Sequence, residues 1–365
     1  MSLFNLFEEK VVGASFVYNG FGKSIGLIQV DELGTIETPI LLTNTLSVGI
    51  VCDGLISYML KDNPKIGVST STINSLVLEC NDGSINEIQK RVITKEDVFS
   101  AINNAGATFL EGGVGAGTGM KCHGFKGGIG SSSRVINLDG KEYTIGVLVN
   151  SNFGSSNGED LIFKGRRLKD EIKNYDLPKE EDKGSIIVVI ATDLPLDNRQ
   201  LRRVAMRAEL GNARTGSYAG NGSGDIMVAF STANKVKHYS DEPFEMVVRF
   251  NENNINKYLI RYDDLYITEY KKTLIHIDFS LLLLFIDISR RYIFCYKRRR
   301  KMVKVNVAQY IIQDLSKRFP IGDEGVADDE IIDSLVDRWA KQKYVTPTHS
   351  VKFNHAPARN KRYLI

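Results

Sequence analysis

Apolar runs of strand length mark the first two thirds of the chain. Tyr143–Val149 (YTIGVLV) and Ile186–Ala191 (IIVVIA) are continuous and rich in β-branched residues, the pattern of strands buried on both faces. The shorter runs Gly26–Val30 and Leu46–Val51 are also predicted as strands, and Ile226–Phe230 as a buried one. Two segments switch to helical spacing. Lys95–Ile102 follows Thr94, an N-cap residue, and carries Glu96 and Asp97 in its first turn. Asn198–Leu210 places Leu201, Val204, Ala205 and Ala208 on one face. Strands and helices are mixed along the chain, which predicts a layered α/β fold.

The pattern changes near residue 255. Residues 1–257 are punctuated by glycine, and residues 258–301 form a low-complexity apolar and basic segment. Within it, Leu274–Ser289 is apolar but carries His276, Asp278 and Asp287, and Arg290–Lys301 is basic. A membrane span of that length is marginal, and each aspartate inside it would cost several kcal/mol, so the membrane reading is disfavoured. The basic run reads as a solvated face rather than a nucleic-acid patch. Residues 302–365 are predicted as a small helical module, with helical spacing over Asn306–Lys317 and Asp328–Lys341 and an unstructured tail from Pro347.

Composition narrows the function classes. The chain has 365 residues, 42% hydrophobic and 25% charged, with a formal net charge of +3, too small to imply nucleic acid. Cys52, Cys80, Cys122 and Cys295 are scattered without a C-x-x-C pair and read as reduced thiols of a cytoplasmic protein. The first ten residues lack the pattern of a signal peptide. No zinc-ligand spacing appears among the histidines, and no metal is expected.

Two segments carry chemistry. Gly222-Ser223-Gly224-Asp225 puts a small hydroxyl residue between glycines at the entrance of a strand. Such a setting suits a turn before a strand. It also suits a nucleophile, because glycine permits close approach of backbone and substrate. Rearrangement of the Gly222–Ser223 peptide bond would make Ser223 a new N-terminus whose α-amine could act as its base. The second segment, Glu111–Arg134, is dense in glycine. It fails the P-loop pattern, since Thr118 rather than Lys follows Gly117, and it fails the dinucleotide fingerprint. Backbone N–H groups aimed at an oxyanion fit such a stretch. Glu111 at its entrance is a candidate acceptor for a substrate amine, or a surface carboxylate.

Five segments in order resemble the DmpA-type aminopeptidases, the L-aminopeptidase/D-Ala-esterase/amidase family that includes β-aminopeptidases. They are Thr43–Gly49, Gly117–Arg134, Val147–Gly154, Ala191–Leu196 and Ala213–Asn234, and the resemblance runs over about residues 4–256. It implies an αββα sandwich similar to N-terminal-nucleophile hydrolases and self-cleavage between Gly222 and Ser223. It further implies Ser223 as acyl-forming nucleophile and Glu111 as the carboxylate that meets the substrate's amine. Asn152, Thr192, Asp225 and Thr118 lie in matching motifs and are expected as supporting residues. The substrate would be a small peptide or amino-acid amide and the assembly a homo-oligomer, with no cofactor.

The chain departs from the family in two places. Family members carry a further strand or two before the point matching Phe4, so an N-terminal piece of the sheet is expected to be missing. They also continue, after the point matching Asn253–Lys257, into a helix with a Ser/Thr-x-Glu-Glu-Ala pattern that supports the nucleophile, and no such pattern follows Lys257. A reading-frame shift at that point, or a lineage-specific replacement, would produce this change. Three functional readings follow: an active self-processing aminopeptidase or amidase, an inactive remnant, and a non-catalytic amine- or peptide-binding protein.

Overall fold

The computed structural model describes residues 5–155, 158–163, 165–171, 184–254, 294–298 and 301–305. β1 (Glu9–Gly20) leads to α1 (Leu27–Leu33), β2 (Thr35–Ile36), β3 (Ile40–Asn44), α2 (Val48–Asp62), β4 (Leu76–Cys80) and α3 (Lys95–Asn103). The glycine-rich segment then yields β5 (Lys121–Cys122), β6 (Phe125–Lys126), β7 (Gly128–Leu138) and β8 (Lys141–Asn152). β9 (Ile162–Phe163), β10 (Arg166–Arg167) and α4 (Leu168–Glu171) precede β11 (Ser185–Thr192), α5 (Asn198–Arg214) and β12 (Gly224–Lys237). β13 (Phe294–Arg298) and β14 (Lys301–Val305) form an antiparallel pair that crosses the boundary drawn at residue 301.

Side-chain alternation builds the layers. The main sheet has the order β2-β1-β12-β11-β8-β7, with β11 and β12 parallel and the other neighbours antiparallel. Along β12, Met227 and Ala229 point into one core, where Ile186, Val188 and Ile190 of β11 meet Leu201, Ala205 and Ala208 of α5. Ile226 and Val228 point the other way, toward Leu42 of β3 and Leu76 and Leu78 of β4. The far side of the parallel β3–β4 pair, with Leu41 and Val77, packs on Val51 and Leu55 of α2 and Val98, Ala101 and Ile102 of α3. Three cores therefore separate four layers, helix, sheet, sheet, helix, the αββα sandwich expected from the sequence. Burial of one leucine such as Leu201 contributes about 1.5–3 kcal/mol.

Both predicted helices form where their caps are. Thr94 and Asp97 make a reciprocal capping box on α3, and Asp197 and Gln200 make one on α5, with Gln200 N donating to Asp197 Oδ1 at 2.7 Å. β8, β11 and β12 contain the three predicted core strands.

Two predicted strands are helices instead. Gly26 turns the chain with φ 95°, and a Cβ there would lie 2.3 Å from Ser75 O, so the run after it leaves the β4 neighbourhood as α1. Leu46–Val51 straddles the start of α2, whose buried Val48, Val51, Leu55 and Met59 have the spacing of one helical face. Six residues are too few to show that period, and their β-branched composition favours a strand instead.

Among the described residues β3 and β4 have only each other as strand partners, apart from a bridge between Ile25 and Val77. Among these residues no helix is long and apolar enough to cross a membrane. Leu274–Ser289, the two helices expected after Asn306 and the tail lie outside the described residues.

Candidate active site

Strand register brings the chemistry to one end of the main sheet. Gly224, the first residue of β12, pairs with Gly20 at the end of β1 and with Ser185 at the start of β11, and Ser185 pairs with Asn152 at the end of β8. The chain enters this end through a tight turn. Ser223 N donates to Gly220 O at 2.8 Å, and Asn19 Nδ2 donates to the same carbonyl at 2.7 Å. Phe21 N donates to Ser223 O at 3.2 Å. A Cβ on Gly224 would lie 3.1 Å from Phe21 O, which explains a glycine beside the serine.

Ser223 and Asp225 are both fully buried, and Ser223 Oγ donates to Asp225 Oδ1 at 2.6 Å. Alternation puts Asp225 on the side of the sheet that carries Met227, facing α5. A second carboxylate, on α5, lies within its electrostatic reach. Glu209, on the last turns of α5, is 7% exposed, and Asn212 Nδ2 donates to its two oxygens at 3.2 and 3.3 Å. Burial pushes the Glu209 carboxyl up to about 7, opposed by the Asn212 hydrogen bond and reinforced by the charge of Asp225. Asn212 Nδ2 also lies 3.3 Å from Ser217 Oγ, which accepts from Ala219 N at 3.3 Å in the loop leading to the serine.

The sequence pattern pointed to Asp225 but not to Glu209 or Asn212. Their signal is positional: Asn212 continues the buried stripe Leu201, Ala205, Ala208 of α5, and polar residues on a buried stripe require partners. His123 carries no sequence pattern that marks it either. It is buried with φ 47°, its Nε2 lies 3.3 Å from Thr215 Oγ1, and burial holds its ring at about 4, neutral near pH 7.

The other expected site residues are spread over the sheet. Asn152 stands two strands from β12 at the same end. Its side chain accepts from Lys121 N at 2.9 Å and donates to Asn81 O at 2.9 Å, tying the glycine-rich segment to the loop after β4. Glu111 lies beyond β7, where the neighbouring Gly112 bridges Ile129, and it accepts a short hydrogen bond from Ser131 Oγ. Its carboxyl is half-buried and raised above the usual range, chiefly by desolvation. Three strand spacings, about 14 Å, separate β7 from β12. Thr118 is exposed and donates to Gly115 O at 2.7 Å, closing a short turn. Thr192 ends β11 seven residues after Ser185, about 23 Å along the strand. Its hydroxyl donates to Thr144 O at 2.7 Å at the opposite end of the sheet, so the register corrects the expectation that it lies near the serine. Among the described residues no cluster of His, Cys, Asp and Glu could hold a metal ion.

A family model described as peptidase family S58 matches residues 2–262. The chain belongs to peptidase family S58. This S58 chain is 40% identical over 232 residues to the beta-peptidyl aminopeptidase BapA of Sphingosinicella microcystinivorans, covering 59% of this chain and 57% of that protein. It is 39% identical over 239 residues to the BapA of Sphingosinicella xenopeptidilytica, covering 62% and 59%. The match therefore spans somewhat over half the length of these curated relatives. Among solved structures, a Pyrococcus horikoshii OT3 protein is similar at 53% identity and TM-score 0.64, over 69% of each chain. A Burkholderia sp. beta-aminopeptidase is similar at 29% identity and TM-score 0.67, over 86% of this chain and 83% of that one. The L-aminopeptidase D-Ala-esterase/amidase of Ochrobactrum anthropi, described as a prototype for the serine aminopeptidases and a variant among the Ntn hydrolase fold, is similar at 29% identity and TM-score 0.69, with the same coverage. The S58 chain shares that fold class, and its family is one of hydrolases.

Proposed function

We propose that this chain is a self-processing serine aminopeptidase or amidase that releases N-terminal residues from small peptides, amides or esters. One observation carries the reading: the fully buried Ser223 hydroxyl is hydrogen-bonded to Asp225 immediately after a peptide bond held in a turn. In maturation, Ser223 Oγ attacks the carbonyl carbon of Gly222 while its proton passes to Asp225. The Gly222–Ser223 C–N bond then breaks, the nitrogen takes the proton, and water hydrolyses the resulting ester. The freed α-amine of Ser223 becomes the base for the second reaction. Ser223 Oγ attacks the substrate carbonyl, the leaving amine carries away the proton, and water releases the acyl group.

Glu111 is the proposed acceptor of the substrate's ammonium, a charge-assisted hydrogen bond that selects free N-termini. Glu111 sits at the entrance of the glycine-rich segment, beside β7 and three strands along the sheet from β12. Asn152 supports that segment from the end of β8. Cys52, Cys80 and Cys122 form no disulfide among the described residues, which supports a reducing, cytoplasmic setting. The substrate class and a homo-oligomeric assembly follow the family reading.

Hydrolysis of amino-acid amides and short α- and β-peptides, beside their N-acetylated forms, tests the proposal. Turnover of the free amines and none of the acetylated compounds is expected. Saturable calorimetric binding of the free amines without any turnover would instead identify a binding protein.

A further inference from the structure

We propose that Asn19 is a positioning residue for self-cleavage, its side-chain amide anchoring the turn that carries the Gly222–Ser223 bond to the neighbouring strand β1. The inference rests on the self-processing reading and extends it to a residue on a separate element. Strand register sets the direction of the side chain. Along β1, Val17 stands opposite Ile226 and Asn19 opposite Asp225, so Tyr18 is an extra residue, a bulge. Residues directly opposite each other on paired strands share a face. Val17 therefore lies on the face of Ile226, toward the β3–β4 pair, and Asn19 on the face of Asp225. Unbroken alternation would have returned Asn19 to the face of Val17. The bulge re-aims it toward the loop that precedes β12.

There Asn19 Nδ2 donates to Gly220 O at 2.7 Å. The same carbonyl accepts from Ser223 N at 2.8 Å, the hydrogen bond that closes the four-residue turn Gly220–Ser223. Two residues beyond Asn19, Phe21 N donates to Ser223 O at 3.2 Å. The nitrogen that must leave Gly222 is thus held through Gly220 O, and Asn19 ties that oxygen to a strand 201 residues away in sequence. The loop needs such a tie. Tyr218 and Asn221 are exposed, and Ala219 sits at φ 48°, a conformation that a non-glycine residue keeps only when its surroundings impose it. Attack on a carbonyl tolerates little error in position: a displacement of about 1 Å can cost about 10²-fold in rate. Asn19 exchanges no atom in the step. Ser223 Oγ forms the new bond to the Gly222 carbonyl carbon, the Gly222–Ser223 C–N bond breaks, and the serine proton ends on Ser223 N. Asn19 sets where the nitrogen lies while this happens.

The test is the intact-mass time course of the full chain carrying Asn19→Leu, which keeps the approximate size of the side chain and removes its donors. Cleavage is expected about 10–100-fold slower than in the parent. An unchanged rate overturns the proposal. Asn19→Asp, of the same shape but with acceptors alone when ionised, should slow cleavage as much and serves if Asn19→Leu fails to fold. Hydrogen exchange separates positioning from general support of the sheet. In uncleaved Ser223→Ala protein, adding Asn19→Leu should speed exchange of the amide at position 223 by about tenfold or more, and leave the amides of Met227 and Val228 in β12 unchanged. Equal loss of protection along β12, or no loss at position 223, overturns the proposal. A parent that never cleaves, while the amide at position 223 loses protection in this way, defeats the self-processing reading and leaves the anchored turn standing.

Discussion

Among the described residues the hydroxyls of Ser223 and Ser131, like that of Ser15, donate to carboxylates, and the surroundings of the first two differ in the ways that matter for reactivity. Ser223 and Asp225 are fully buried at the end of the central strand β12, with Glu209 behind them and a turn in front. Ser131 and Glu111 lie at the rim of the same sheet, where Ser131 is fixed mid-strand in β7 opposite Leu148 and Glu111 is half-buried. The peptide bond before Ser131 belongs to a paired ladder. The bond before Ser223 belongs to a turn whose carbonyl Gly220 O receives two donors. The pair chemistry is the same, so under the proposed self-processing it is backbone geometry and burial that would set which serine attacks its own chain.

The largest expected effect separates the pairs most sharply. Asp225→Asn removes the base that takes the proton of the buried serine and should slow self-cleavage by about 10²–10⁴-fold, read from the intact-mass time course. Glu111→Gln should leave that time course unchanged. Its effect belongs to the mature enzyme, where it should raise KM for a free-amine substrate about tenfold while kcat changes little, the loss of one charge-assisted hydrogen bond. If Glu111→Gln slowed maturation as strongly as Asp225→Asn, the two regions would form one site and the comparison would fail.

The smallest effect is on stability. The folded-state ionisation of Glu209 sits near 7, above the ordinary 4.5, because burial disfavours its charge. A carboxyl raised in this way loses stability for the fold as pH rises from the unfolded value to the folded one. In a Ser223→Ala background, Glu209→Gln should melt at a higher temperature than its parent above pH 7. The gap should close on acidification and vanish below about pH 4.5, as thermal melts at several pH values would show.

The parts of the fold that the sequence discloses are those whose pattern is local. β8, β11 and β12 are apolar runs, and α3 and α5 carry their own capping residues, so each is visible within a dozen positions. α1 and α2 escaped because each depends on a neighbour: Gly26 turns against Ser75, and α2 shows its face only over Val48 to Met59. Ser223 and Asp225 were legible as a glycine-flanked pair two residues apart, the spacing that shares one side of a strand. Glu209 was not, because its electrostatic reach to Asp225 depends on how α5 packs across β12. Thr192 shows the reverse error: a residue in a matching motif lies at the far end of β11, and only strand register reveals the distance.

The central claim is that Ser223 attacks its own chain, and the intact mass of the purified protein beside a Ser223→Ala control tests it most directly. The account predicts two fragments from the parent, meeting between Gly222 and Ser223, and a single full-length species from the control. A parent that stays full-length, identical in behaviour to the control, would contradict it.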